Sequence, residues 1–490
     1  MENNRYSRRI RFIFMIALSV SLVLDSCRKL VEVDPPNNKV TGDNAYSANN
    51  TAAAVMTGLY AQIAQKAYPT ITPNSLSIMA GLSADELNLV GTVTTWPFYY
   101  YTNSLYAPLP PAGGGGGYEL WSIYYYHIFI CNSVVEGATG SSSLSSAVKQ
   151  QLLGEAKFMR AFYYFYLVNL YGDVPLALSS DYKINTLLYK TPQVDVYKQI
   201  VQDLKDAEGL LSSNYLSADL ITPSADRFRP TKWAAAALLA RVYLYTKDFP
   251  NADTEASSVI NNTLYDIIPL NSVFLKNSKE AIWQLQNVTA NMNSQDGMVF
   301  NLPGTGPSST TGNPVYLSDF LMKAFDSGDN RKVLGNWVKS VVANNTTYYY
   351  PYKYKLGKGS TAGSEPQMMF RLAEQYLIRA EARANGAGTG LSGAIADVSK
   401  IRTRAGLSVY SGPSNKDSIM KAVMHERQVE LFTESGQRWL DLKRTGTVDS
   451  VMKIVAPQKA QSVWKSYQQW YPLPYDDIQK DPNLSQNSGY

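Results

Sequence analysis

The stretch "WAAAALLARVYLYTKDFPNADTEASSVIN", residues 233–261, decides the fold. It reads as two helices joined by a short break, with Leu239, Ala240, Tyr243 and Ala252 at the positions where antiparallel helices touch. Small residues let the two backbones approach closely, and the tyrosine fills the groove between them. Helical periodicity of the same kind runs outward in both directions. Residues 51–67, 118–138 and 193–211 each carry it, and so does 145–172, where Gly172 is the stop.

A second pair of this type is "MFRLAEQYLIRAEARANGAGTGLSGAIADVSKIRTRAGL" (369–407), with Ala380, Ala382 and Ala384 on its packed side. The spacing in both pairs resembles a tetratricopeptide repeat, although Ala256 stands where a larger aromatic is usual. Helix pairs of that kind stack to bury a continuous core and leave a concave or loop-decorated face. The fold class expected is therefore mainly α, built of tetratricopeptide-like helix pairs.

Between the pairs lie irregular, polar and aromatic stretches at 68–117, 214–230, 263–366 and 455–490. A hundred residues with weak helical pattern is unusual in a compact domain unless the segment is functional or forms its own subdomain. The oddest is "TTWPFYYYTN" (94–103), whose consecutive aromatics match neither helical nor strand period. Trp96 precedes a proline, which disfavours helical backbone, so the segment is expected to be an extended loop. The glycines 113–117 that follow lack the strand-turn-helix context of a phosphate loop and read as a connector.

Arg5, Arg8, Arg9 and Arg11 precede an apolar run from Phe12 to Leu24, a length that suits a secretory signal and falls short of a bilayer span. Leu24-Asp25-Ser26-Cys27 then resembles a bacterial lipobox, with Cys27 as the lipidated residue; Asp25 stands where a small or hydroxyl residue is usual. The polar, Pro-Pro-containing segment after it suits a tether. Cys131 is the one other cysteine, which excludes a disulfide framework and suits a buried small apolar residue. Net charge is +5, of which +2 belongs to the first 26 residues. The remainder carries no basic run long enough to neutralise a row of phosphates, so nucleic acid is not an expected partner.

Taken together, the lipobox, "GEAKFMRAFYYFYLVNLYGDVPLAL" (154–178), "RPTKWAAAALLARVYLY" (229–245), "RLAEQYLIRAEARA" (371–384), "HERQVELFTESGQRWLDLKRTG" (425–446) and the terminal "YPLPYDDIQKDPNLSQNSGY" resemble the SusD/RagB family of outer-membrane nutrient-binding lipoproteins. They occur in the family's order across nearly the whole chain. The resemblance implies four tetratricopeptide-like helix pairs opposite a loop-rich ligand-binding subdomain. It also implies capture of a glycan or other nutrient at the cell surface, handed to a SusC-like TonB-dependent transporter. Members exported to the surface tend to carry acidic residues soon after the lipidated cysteine, whereas here Arg28 and Lys29 come first, then Glu32 and Asp34. The divisions expected are a signal peptide at 1–26, anchor and tether at 27–49, a helical region at 50–262, a loop-rich subdomain at 263–366 and a C-terminal region at 367–490.

No catalytic or cofactor motif stands out, and no metal set is marked. Glu426, Glu430 and Glu434, spaced at four residues near His425 and Arg438, could make an acid–base or metal set; acidic stripes beside arginines more often form ion pairs, so they are read as architecture. Tyr supplies 35 residues against 15 Phe and 8 Trp, which suits wet binding surfaces better than a dry core. Sugar rings stack their apolar faces on aromatics while their hydroxyls bond to amides and carboxylates. The candidate ligand residues are Trp96, Tyr99, Tyr100 and Tyr101, with Asp85, Glu86 and Asn88 in the preceding "SADELN", then Tyr316 and Tyr348 to Tyr350. Trp96 is the favoured ring, because it offers the largest stacking area. The ligand expected is an oligosaccharide; a scaffold that presents a peptide or other non-sugar nutrient to the same transporter is the alternative.

Overall fold

Helix α5 (Ser146–Tyr171) is apolar or aromatic on every side from Phe158 to Val168, save Arg160, and all of those side chains are buried. A helix with no polar face has to be surrounded, and the elements packed against this one enclose it. Labels here follow chain order among the residues described by the computed structural model: 42–64, 75–91, 96–106, 116–288, 292–357 and 363–490. The signal segment, Cys27 and the tether up to residue 41 lie outside the described residues. Residues up to Ala45 form a unit of their own, of which a helical turn, Gly42–Ala45, is described.

In the unit from Tyr46 onward, α1 (Asn49–Ile63), α2 (Leu76–Ser83), α3 (Trp96–Tyr101) and α4 (Glu119–Gly140) lead into α5. After the one-turn α6 (Tyr182–Asn185) come α7 (Gln193–Leu210), α8 (Lys232–Tyr245) and α9 (Phe249–Ile260). The short α10 (Gln295–Phe300) and α11 (Asp319–Ala324) interrupt the loop-rich stretch. Then follow α12 (Leu372–Ala384), α13 (Gly390–Arg404), α14 (Lys416–Glu430), α15 (Gln437–Arg444), α16 (Val448–Val455) and α17 (Tyr475–Lys480). Each long helix packs on the next: α4 on α5, α5 on α7, α7 on α8, α8 on α9, α9 on α12, and α12 on both α13 and α14. This is the tetratricopeptide-like stack expected from residues 233–261. Leu239, Ala240, Ala252 and Ala256 are all fully buried in its seam, as are Ala380, Ala382 and Cys131.

The strands are short and antiparallel. Their pairs are β1 (Leu87–Leu89) with β5 (Val315–Leu317), β2 (Val174–Pro175) with β3 (Lys190–Thr191), β4 (Ala281–Leu285) with β8 (Gln367–Arg371), and β6 (Val338–Ala343) with β7 (Thr346–Pro351). β4 and β8 are buried throughout and carry Trp283 and Phe370 against Phe158 and Phe162 of α5. The loop-rich stretch is thus tied to the helix stack through its own strand.

Two expectations are corrected. From residue 96, where its description begins, the segment expected to be extended is helical: Trp96–Tyr101 forms α3, with Pro97 in its first turn, where no backbone N–H is needed. Nor does the tyrosine excess mark a wet surface. Tyr124, Tyr163, Tyr164, Tyr166 and Tyr171 are core residues. The Tyr164 hydroxyl both donates to the Ala177 carbonyl, at 2.9 Å, and accepts from its N–H, at 2.7 Å.

Candidate functional site

The expected ligand residues divide into a buried group and a rim. In α3 the i, i+4 spacing turns Trp96 and Tyr100 inward together, with rings 5.9 Å apart edge to face. Trp96 is 6% exposed and Tyr100 fully buried, with its hydroxyl donating to Glu119 at 2.8 Å and its ring against Tyr471. Neither ring is offered to solvent, which corrects the expectation that Trp96 is the stacking platform: the helix that was not foreseen rotates it into the core.

Asp85 and Glu86 are also enclosed. Arg438 grips the Asp85 carboxylate with Nε at 2.8 Å and Nη2 at 2.7 Å, a bidentate pair inside the protein. Gly436 makes this possible. It has φ +75°, and a Cβ there would stand 2.8 Å from the Ala80 methyl, so glycine lets α15 start hard against α2. Glu86 accepts the Thr433 N–H at 3.2 Å; burial, and then its neighbour Asp85, push its carboxyl up to about 8. Lys459 donates to the Leu82 and Ala84 carbonyls at the end of α2, and burial lowers its ammonium to about 7. The Asp85 and Glu86 carboxylates are thus parts of the scaffold.

The rim is where the remaining expected residues meet. Asn88 on β1 lies opposite Tyr316 on β5. The Tyr101 hydroxyl donates to Asn88 Oδ1 at 3.4 Å, and the Tyr316 ring meets Tyr348 of β7 edge to face at 5.0 Å. Tyr99 packs edge to face on Tyr106 at 5.2 Å, and the Lys459 ammonium stands 5.3 Å from the Tyr101 ring. Asn88, Tyr99, Tyr101, Tyr106, Tyr316 and Tyr348 are all partly exposed, and Tyr349 is exposed. Burial, and then Tyr316, push the Tyr101 hydroxyl up to about 12, so it stays a neutral donor and acceptor at physiological pH. Tyr350 alternates away from Tyr349 along β7 and is buried. Sequence reasoning missed Tyr106 and Lys459. Tyr106 stands five residues past Tyr101 and could have been added; nothing in the sequence linked Lys459 to residue 101.

The acidic stripe resolves into a buried ion network. Glu426 and Glu430 lie on α14, whereas Glu434 falls beyond the end of that helix. Arg331 Nη1 donates to Glu426 at 2.6 Å and to Glu430 at 2.8 Å, and Arg371 bridges Glu280, Glu430 and Glu434. Arg404 donates to Glu280 and Glu430, and Lys353 to Glu434. Burial pushes the Glu430 carboxyl up, but Arg404, Arg371 and Arg331 outweigh it and hold it well below the usual carboxylate range. With Glu426 and Glu430 fully enclosed and committed to guanidinium groups, the stripe is interhelical architecture, as read from sequence, although buried rather than solvated.

The fold and these motifs have relatives. Residues 332–490 match the family model described as "SusD family", and residues 115–244 the one described as "Starch-binding associating with outer membrane". The chain is 29% identical to SusD-like protein P2 of Formosa agariphila over 69% of this chain and 73% of that one. It is 24% identical to the starch-binding protein SusD of Bacteroides thetaiotaomicron over 76% and 77%. A SusD superfamily protein from Bacteroides vulgatus superposes with a TM-score of 0.74 at 20% identity, covering 90% of this chain and 99% of that one. The chain belongs to the SusD/RagB family.

Proposed function

We propose that this protein is a non-catalytic, lipid-anchored binding protein of the outer membrane, facing the cell exterior, that captures an oligosaccharide at the tyrosine rim and passes it to a SusC-like TonB-dependent transporter. The observation that carries the reading is the convergence of Asn88, Tyr101, Tyr316 and Tyr348, from three separate stretches of chain, on one partly exposed surface. Their rings supply apolar faces and their hydroxyls and amide supply hydrogen bonds, the two things a sugar needs. A relative named as starch-binding, and a matched model described as starch-binding and associated with the outer membrane, support the same ligand class and place. The lipobox at Cys27 supports the anchor.

Isothermal titration of the mature chain against a panel of oligosaccharides tests it. At least one glycan binds, and Tyr101→Ala with Tyr316→Ala weakens it at least tenfold, as expected when two aromatic contacts of one binding surface are truncated together. A panel with no binder removes the sugar reading; binding unchanged in the double variant removes the rim.

A further inference from the structure

Away from the rim, a cleft of about 470 Å³ opens between α4, the loop bearing α6, and the C-terminal segment around α17. That volume is within the range of small-molecule sites. We infer that this cleft is a second saccharide-binding site, built from residues the rim does not use.

One wall is a face of α4, where Trp121, Tyr125 and Phe129 recur at four-residue spacing. Trp121 and Tyr125 form its base, with ring centroids 4.8 Å apart. Phe129 is 47% exposed, and Tyr182, on α6, is 70% exposed. Large rings left in solvent at the mouth of one cleft are costly unless something covers them.

The other wall is polar and of mixed sign. Asp477 Oδ2 accepts the Trp121 indole N–H at 3.1 Å, which ties the two walls together. Lys480 and Asp481 stand beside it. Asn185 donates to the Ser179 carbonyl at 2.8 Å, while its Oδ1 has no hydrogen-bond partner among the described residues. Two carboxylates disfavour an anion, and the adjacent ammonium disfavours a bare cation. A purely apolar guest would leave these groups desolvated and unpaired. What satisfies both walls is a neutral ring with apolar faces and a hydroxyl-bearing edge.

The test is calorimetric stoichiometry on the mature chain, with hexasaccharides of glucose, mannose and xylose as probes. Phe129 and Tyr182 are exposed, so Phe129→Ala with Tyr182→Ala leaves the core intact. The wild type is expected to bind two molecules of one probe. The cleft variant keeps one, with the other weakened at least tenfold, and the Tyr101→Ala, Tyr316→Ala variant keeps the complementary one. One site in the wild type that the cleft variant leaves unchanged overturns the cleft while the rim stands. One site lost only in the cleft variant supports the cleft and removes the rim. No binding to any probe overturns the cleft assignment.

Discussion

Glu430→Gln is the sharpest test of the buried network. The carboxylate is fully enclosed and receives guanidinium donors from Arg331 at 2.8 Å, from Arg371 at 2.6 Å, and from Arg404. The amide keeps the shape, so no cavity forms, but it removes the charge that three buried guanidinium groups share. Breaking such an arrangement by taking one partner away costs about 3–5 kcal/mol. With an unfolding entropy of roughly 2.1 cal/mol/K per residue, a chain of this size has about 1.0 kcal/mol/K, so the melting midpoint should fall by about 3–5 °C at pH 7. Scanning fluorimetry reads this directly. Because the pair is buried, 1 M salt should leave the difference intact, whereas a solvated stripe would be screened. The pH dependence has a definite sign. The folded carboxyl is held below its unfolded value near 4.3, so its contribution is present above that value and lost as pH falls through the folded one. The gap between wild type and variant should therefore narrow below about pH 4. A shift under about 1 °C at pH 7, or one erased by salt, would refute the account of the stripe as buried architecture.

Two other perturbations separate scaffold from rim. Trp96→Ala truncates a core ring and should cost about 3–5 kcal/mol of stability while leaving glycan affinity within about threefold; lost affinity with an unchanged melting midpoint would mean that Trp96 is a sugar contact after all. Glu86 keeps its proton in the fold up to about pH 8, so its contribution is full below the unfolded value near 4.3 and is lost as pH rises through about 8. The midpoint of Glu86→Gln should accordingly fall less than that of the wild type between pH 5 and 9, and parallel curves would contradict the burial of this carboxyl.

The helix stack was legible in the sequence because its signals are local. The spacing of Leu239, Ala240, Tyr243 and Ala252, and the stop at Gly172, need only the few neighbouring residues that set a helical period or its end. Asn88, Tyr101 and Tyr316 were legible as residue types suited to a sugar, without any sign that they meet. The cleft was not legible: the aromatics of α4 have the spacing of any amphipathic helix, and only the placement of α17 against Trp121 turns that face into a wall.

What the sequence by itself determined, then, is where the long helices of the stack run, which family the chain belongs to, and that Cys27 has the surroundings of an anchor. Which tyrosines are core, which carboxylates are already paired and which rings meet at a surface were decided by tertiary structure alone. The physical reason is that exposure and charge pairing depend on whatever packs against a residue, and here that partner is remote. Asp85 is silenced by Arg438, 353 positions further along the chain, and Tyr101 meets Lys459.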